Sequence, residues 1–502
     1  MLRPITLSLE RGARRLTTDS NSRTHQNRFE RILLFILLGT LPLLNPWVRG
    51  DGVGYYAYAR APLFQHDLDF SRDYQMANRS FREAHCDENG QPKKEFRTRT
   101  GHLDNHFTVG PAMLWSPFLL AAHGAVLLAK ALGSNVSADG FSSPYRYAMA
   151  LGTVMYGFLG LFLSFRLACK YAGPLWSFVA TLAIWWASSL PVYMYFNPSW
   201  SHAHSVFTVA LFLWYWDATR EHRSLKQWLL LGAIAGLMLN VYYVNLMVVS
   251  VLVVEAVRQY SYVLRFGRSS YPSYLELLAR HLLFGLVVFL VMIPTFVSRS
   301  IVYGGPFETG YYFSIRDFLW RSPVFFSVLF SSNHGLLSWT PVLGLAILGL
   351  VFFVLRLPEV GIPFFTAVAA FYIFISFYPD WTGISSYGNR FFISLTPLFI
   401  FGLAYLLERI AAHFPKPRTA LVASTGVLTC FVLWNLGFIY QWGMHLVPTR
   451  GPISFRQATY NQFNVVPSQM IFQVRSYIFR RSDLMRQIEQ RDIEQLNSAP
   501  KR

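Results

Sequence analysis

Twelve long apolar runs separated by short charged segments constrain this chain more than any other feature. They fall near 31–48, 109–131, 145–166, 174–193, 203–219, 227–240, 242–257, 281–299, 325–356, 361–378, 391–408 and 419–440. A bilayer core takes about 20 apolar residues per helical span, and every backbone polar group inside it must find a partner within the segment. Continuous runs of this length predict an all-α polytopic membrane protein with about 11 to 13 crossings. They do not alternate as the strands of a transmembrane barrel would. Charged residues make up only 14% of the chain, against roughly 25% in soluble domains. Residues 227–257 are too short for two straight spans and too long for one, which predicts a bent pair broken near Asn240 and Asn245.

The net charge of +18 does not point to nucleic acid. The basic residues sit in short loops and at the two ends, as expected for helices oriented by the positive-inside rule and for contact with anionic membrane lipids, and no nucleic-acid motif accompanies them. Segments 166–170, 220–226, 258–280 and 409–418 are basic and read as cytosolic, whereas 300–320 and 379–390 mix charges with aromatics and read as external. If 49–108 is also external and both 109–131 and 145–166 cross, Arg166 falls outside. Either one of those runs does not cross, or the charge rule fails there.

These patterns divide the chain into a disordered basic cytosolic stub over 1–30, a transmembrane domain over 31–440 and a polar, external tail over 441–502, helical near 481–496. The first 31 residues hold seven arginines against three acids, and no cleavage site follows the first run, so the first helix is expected to be uncleaved. Cys86, Cys169 and Cys430 form no C-x-x-C pair and imply neither a disulfide framework nor a thiolate metal site. No internal repeat is visible, which argues against the common transporter plans. The short stub and compact loops suit a bacterial inner membrane, with the endoplasmic reticulum as the alternative.

Chemistry concentrates in the loops. Asp51, in Arg49-Gly50-Asp51-Gly52-Val53-Gly54-Tyr55-Tyr56, follows the first apolar run almost directly. A carboxylate there is a candidate general base at the membrane surface; the structural alternative is a helix-end acid balancing Arg49. The loop it opens, 49–108, holds nine of the 26 acidic residues and nine basic ones. Part of it, Tyr55–Phe64, has the character of an amphipathic interfacial helix. Lys93, Lys94, Arg97 and Arg99 form a basic run suited to a phosphate, or to a solvated surface. His102, Asp104 and His106 precede Gly110-Pro111. They are compatible with a divalent metal but match no established metal spacing, and no cofactor is otherwise indicated.

Further polar groups interrupt the apolar pattern. His202 and His204 lie in a polar knot around Trp200. Ser331-Ser332-Asn333-His334-Gly335 breaks the 325–356 run at membrane depth, which is tolerated only where it lines protein or water. Glu308 is an isolated external acid. The segment from Tyr378 to Phe392 contains Asp380, Tyr387 and Arg390; the arginine can grip a phosphate in bidentate fashion, and the aromatics can stack on a sugar or anchor the loop at the interface.

An N-terminal stub, one helix, an external loop opened by an acid with Tyr-Tyr close behind, a proline-containing second run and a late Trp381-Thr382-Gly383 to Arg390-Phe391 loop together resemble the GT-C superfamily of membrane glycosyltransferases. The likeness is to the protein O-mannosyltransferase and lipid A aminoarabinose transferase branch in particular. This resemblance implies a GT-C-like bundle with a large first external loop and a polyprenyl-phosphate sugar donor used on the non-cytosolic face. It implies a lipid, glycan or protein acceptor, Asp51 as catalytic acid-base residue, and Lys93, Lys94, Arg97, Arg99 and Arg390 as donor-phosphate ligands. Tyr55, Tyr56, His102, Asp104, His106, His202, Glu308, His334, Asp380 and Tyr387 would then surround the substrates. Two departures stand out: glycines flank Asp51 where the family often has a second acid, and Val109-Gly110-Pro111-Ala112 replaces the usual Lys-Pro-Pro-Leu entry. The alternative function is a transporter or flippase for a lipid-linked sugar, which would need ionisable residues within the spans.

Overall fold

Unbroken apolar sequence with few turn residues satisfies its own backbone best as helix, and that is what the chain does. The computed structural model describes residues 20–266, 273–311 and 314–498, and among these there is no β-strand, only isolated bridges at Cys86–Pro92 and Arg97–Leu103. Seven helices are long and apolar enough to cross a membrane: Gly110–Ala131, Ser143–Ala168, Tyr243–Arg265, Tyr274–Val291, Pro358–Phe377, Arg390–Ala411 and Pro417–Gly443. Pro174–Ala187, Leu225–Val241 and Val342–Arg356 are apolar but shorter. With Ser20–Thr40 and His202–Thr219, every expected run falls on a helix.

Thr396–Ala411 is the central helix, buried over most of its length. It packs against Val342–Arg356, Pro174–Ala187 and Ser143–Ala168. Gly402 and Gly349 let two backbones touch: a Cβ on Gly349 would stand 1.9 Å from the Gly402 carbonyl oxygen. Small residues at such crossings replace the hydrophobic drive that lipid removes. The periphery is apolar outward. On Tyr274–Val291 the side chains of Leu275, Leu282, Leu286 and Phe289 are all exposed, as on a lipid-facing helix. The chain is an integral membrane protein.

The breaks fall where polar residues interrupt the runs. Leu225–Val241 ends at Tyr242, in extended conformation, before the turn Tyr243–Val249 and helix Ser250–Phe266. The side-chain amides of Asn240 and Asn245 brace this break, donating to the carbonyls of Val291 on the neighbouring helix and of Met238. Residues 331–335 separate Phe325–Phe330 from Leu336–Trp339.

Three expectations change. The first run does not reach Val48 as a helix: Ser20–Thr40 is followed by a short turn and extended chain. Residues 20–30, assigned to the disordered stub, are helical, while 1–19 lie outside the described residues. Tyr55–Phe64 is helical, but it is not interfacial, because Tyr55 through Ala61 are buried in protein.

The clash over Arg166 also resolves. Helix Gly110–Ala131 begins beside the 49–108 loop, where Phe107 packs on Tyr55 with ring centroids 4.7 Å apart. The segment that follows it lies beside the same loop: Asp139 pairs with Arg72 at 3.1 Å, and Gly140 accepts a hydrogen bond from Tyr56. This helix therefore does not carry the chain to the other end of the molecule. Ser143–Ala168 does, and delivers Arg166 to Glu30 of the first helix at 2.8 Å. That end also holds the Lys170–Asp217 and Arg223–Glu255 pairs and the bond from Arg258 to Pro358.

Candidate active site

At the opposite end, segments from six parts of the chain, within 49–107, 197–202, 242–244, 310–311, 378–391 and 442–495, line a cavity of about 630 Å³. Its floor begins at Asp51. Gly50, with φ of +54°, turns the extended chain so that Asp51 becomes the first residue of helix Asp51–Phe64. A carboxylate in the first turn meets free N–H groups and the positive end of the helix dipole. The glycines on either side have steric reasons. A Cβ on Gly50 would press on the Trp200 ring at 3.2 Å, and one on Gly52 would stand 1.9 Å from Ser199 Oγ. A side chain beside Asp51 would be strained at 50, where φ is positive and Trp200 is close, and has no room at 52.

Asp51 accepts a hydrogen bond from Arg390 Nη1 at 2.7 Å. Arg390 opens the turn Arg390–Leu395 that leads into the central helix. Its guanidinium lies over Trp200, 4.5 Å from the ring centroid, and its buried Nε has no hydrogen-bond partner. Trp200 is fixed in turn by donating from Nε1 to the Arg49 carbonyl at 3.0 Å. Arg49 does not balance Asp51, as a local reading would have it. Its side chain reaches Asp492 of the tail at 2.6 Å, and Asp492 also holds His445 Nε2 at 2.9 Å. Burial alone would raise the Asp492 carboxyl; the Arg49 charge and the His445 bond outweigh it and hold the group below the ordinary carboxylate range.

The far wall is the stretch 104–107. Burial opposes ionisation of Asp104, but bonds from His106 and Tyr303 prevail and keep its carboxyl below the usual range. Arg299 fastens this stretch, donating to the carbonyls of Asn105, His106 and Phe107 at 3.2, 2.6 and 3.0 Å. His202 is buried between Tyr193 and Tyr242, with no partner on Nδ1.

Of the residues singled out in the sequence, Asp51, Tyr55, Asp104, His106, His202, Asp380 and Arg390 line this one cavity. The others do not. Lys93 donates to the Ala84 carbonyl and Arg97 to that of Gly101; Lys94 is exposed beside them. Arg99 binds the Tyr303 carbonyl and stands 3.7 Å from Glu308 on the outer surface. Tyr56 is buried against Gly140, His102 meets Thr100, and Tyr387 donates to Asn435. His334 stacks on Trp339 in the core. His102 therefore stands apart from the Asp104–His106 pair, and among the described residues no three potential metal ligands converge.

Arg49, Trp200, Arg299, His445 and Asp492 were not expected in these roles, nor was Arg450 expected on the cavity wall. All but Arg299 line the cavity. Their one sequence signal is position: each lies within a few residues of the end of an apolar run or in the tail, where charge and aromatics gather.

No protein-family profile and no curated protein matches this chain. The crystal structure of ArnT from Cupriavidus metallidurans in the apo state is similar to it over 82% of this chain and 71% of that one, at 13% sequence identity and a TM-score of 0.45.

Proposed function

We propose that this protein is a membrane glycosyltransferase of the GT-C kind, moving a sugar from a polyprenyl-phosphate donor to an acceptor hydroxyl on the non-cytosolic face. The observation that carries the reading is the Asp51–Arg390 pair inside the loop-built cavity. An acid and a cation that share one cavity suit a displacement in which a proton leaves one reactant while negative charge grows on another. The Asp51 carboxylate takes the acceptor hydroxyl proton and the oxygen attacks the anomeric carbon. The bond from that carbon to the phosphate oxygen breaks, and polyprenyl phosphate departs with the electron pair. A single displacement inverts the anomeric centre.

The ion pair gives the two residues an order of events. While Arg390 is bonded to Asp51, the guanidinium is engaged and one carboxylate oxygen is occupied. A donor phosphate offers Arg390 a competing anion. When the guanidinium turns to it, the leaving group gains a counter-charge and the Asp51 carboxylate is left open to the acceptor hydroxyl. With Lys93, Lys94, Arg97 and Arg99 away from the cavity, Arg49 and Arg450 are the other arginines to which a donor phosphate has access.

The sidedness rests on charge: Arg166, Lys170, Arg220, Arg223 and Arg258 gather at the end away from Asp51, which the positive-inside rule assigns to the cytosol. A bacterial inner membrane with the cavity on its periplasmic face fits this arrangement. The test is a transfer assay on purified protein with a panel of radiolabelled polyprenyl-phosphate sugars. Label should pass to an acceptor with wild-type protein and not with Asp51→Asn, which should still fold and insert. Transfer by Asp51→Asn at the wild-type rate would remove Asp51 from the chemistry, and movement of intact donor across vesicles would favour the flippase alternative.

A further inference from the structure

The tail is not uniformly polar. From Ser454 to Ser482 it carries Arg456, Arg475, Arg480 and Arg481 and no acidic residue. Within it, helix Val466–Phe479 exposes Ile471, Phe472, Val474, Ile478 and Phe479, with Ile471 at 82% and Phe479 at 78% exposure. That spacing is one continuous stripe along the helix, far more apolar than a solvated surface helix needs.

The level of this stripe is fixed by its opposite face. Tyr477 donates to the Leu43 carbonyl at 2.7 Å, and Arg481 donates to the carbonyls of Pro42 and Leu44. Those carbonyls lie just past the end of helix Ser20–Thr40, whose last turns expose Leu34, Phe35 and Leu38. The stripe therefore sits where that helix leaves the apolar zone. Val466–Phe479 also packs against Pro417–Gly443, a membrane-length helix on which Val422, Val427 and Leu433 are exposed.

We propose that Val466–Phe479 is an interfacial helix, lying in the leaflet on the Asp51 side with its stripe in the acyl boundary and its arginines against anionic lipid headgroups. The acid-free basic charge matches an anionic lipid surface, and Arg475, within the stripe, has a stem long enough to lift its charge to the headgroups. A protein partner would not require the stripe to sit at the end of a membrane helix. The consequence reaches the cavity, because the chain continues directly into Arg481–Ser498, which carries Asp492 to Arg49 and His445. Lipid contact thus secures one wall of the candidate site.

The test needs no substrate and so stands apart from the proposed reaction. Full-length protein, with Cys86, Cys169 and Cys430 replaced by alanine, carries a nitroxide on Ile471→Cys, Phe479→Cys or, as an aqueous control, Gln487→Cys. It is placed in nanodiscs of phosphatidylcholine with phosphatidylglycerol. At 471 and 479, collisions with oxygen should exceed those with a water-soluble nickel complex, and at 487 the order should reverse. A water-like pattern at 471 and 479, or shielding from both probes with spin–spin broadening from a second copy, would overturn the proposal. In the chain with its native cysteines, a photo-crosslinker at Phe472 should capture phospholipid; capture of protein instead would also overturn it. Arg475→Gln with Arg480→Gln should lose bound phosphatidylglycerol in native mass spectrometry, and undiminished retention would rule out the anionic-headgroup contact.

Discussion

Asp51 and Arg390 lie 339 positions apart in the chain and meet side chain to side chain at 2.7 Å. Neither is solvent-flooded: Arg390 is 13% exposed and Asp51 31%. An ion pair at that depth keeps more of its Coulomb energy than a surface pair, and its partners exchange only for another charge. Arg390→Ala should therefore lower transfer by about 10²-fold or more, the size of effect seen when a donor to developing charge is removed. Arg390→Lys keeps the charge but not the planar fork. It should fall between, with a raised KM for donor, whereas Asp51→Asn should act on kcat. Steady-state rates over a donor titration, on variants checked for monodispersity, separate the two effects. Wild-type kinetics in Arg390→Ala would exclude Arg390 from donor binding.

The basic run at 93–97 should matter little. Lys93 and Arg97 spend their donors on neighbouring carbonyls, and Lys94 faces outward. Exposed substitutions away from a site usually change free energies by under about 0.5 kcal/mol, so Lys93→Ala/Lys94→Ala/Arg97→Ala should transfer within about twofold of wild type. A loss of donor binding in that triple variant would return the run to the phosphate site and would require the loop to move onto the cavity.

How far the sequence reached follows from the range of each signal. Apolar periodicity is local, so the helices and the breaks at Tyr242 and 331–335 were legible. Asp51 and Arg390 were legible because each opens a helix beside a polar loop, though nothing in the chain said that they touch. The Arg49–Asp492–His445 cluster was not, since a charge pair between a first loop and a tail leaves no trace in spacing. Lys93 through Arg99 looked like a phosphate grip because charge density shows in sequence and direction does not. Tyr55–Phe64 was assigned to the interface for the same reason, and the interfacial stripe of Val466–Phe479 was hidden by the polar residues around it. Glycine was informative only after the fold: Gly50 proves to sit at positive φ close to Trp200, and Gly52 where Ser199 leaves no room for a side chain.

Tail docking should weaken in acid. The Asp492 carboxyl is held below its ordinary value, near about 3.9 in an unfolded chain, with burial opposing and Arg49 and His445 prevailing. A group whose value is depressed on folding contributes stability that is fully present above the unfolded value and is lost as pH falls through the folded one. The tail should therefore stay protected from protease at neutral pH and become cleavable only at pH below the ordinary carboxylate range. Asp492→Asn, which cannot ionise, should be loose at every pH. A tail equally protected in wild type and Asp492→Asn at neutral pH would show that this cluster does not hold it.

Placement of Asp51 depends on the contact between Gly52 and Ser199, and that contact can be exchanged between its two partners. A Cβ on Gly52 would stand 1.9 Å from Ser199 Oγ and 2.5 Å from Ser199 Cβ, against 3.2 Å from the Ser199 carbonyl carbon. Gly52→Ala must therefore push the helix away from the loop that carries Trp200, and a displacement of about 1 Å in a reacting group is enough to cost about 10²-fold in rate. Ser199→Gly removes the two closest atoms and leaves a tight backbone contact that a shift of a few tenths of an ångström relieves. Gly52→Ala should thus transfer poorly, Ser199→Gly should transfer nearly as wild type, and the double variant should recover most of the activity that Gly52→Ala loses. Single-turnover rates on the four proteins measure the coupling. Additive losses would mean that the two residues act separately and that the glycine beside Asp51 is needed for some other reason.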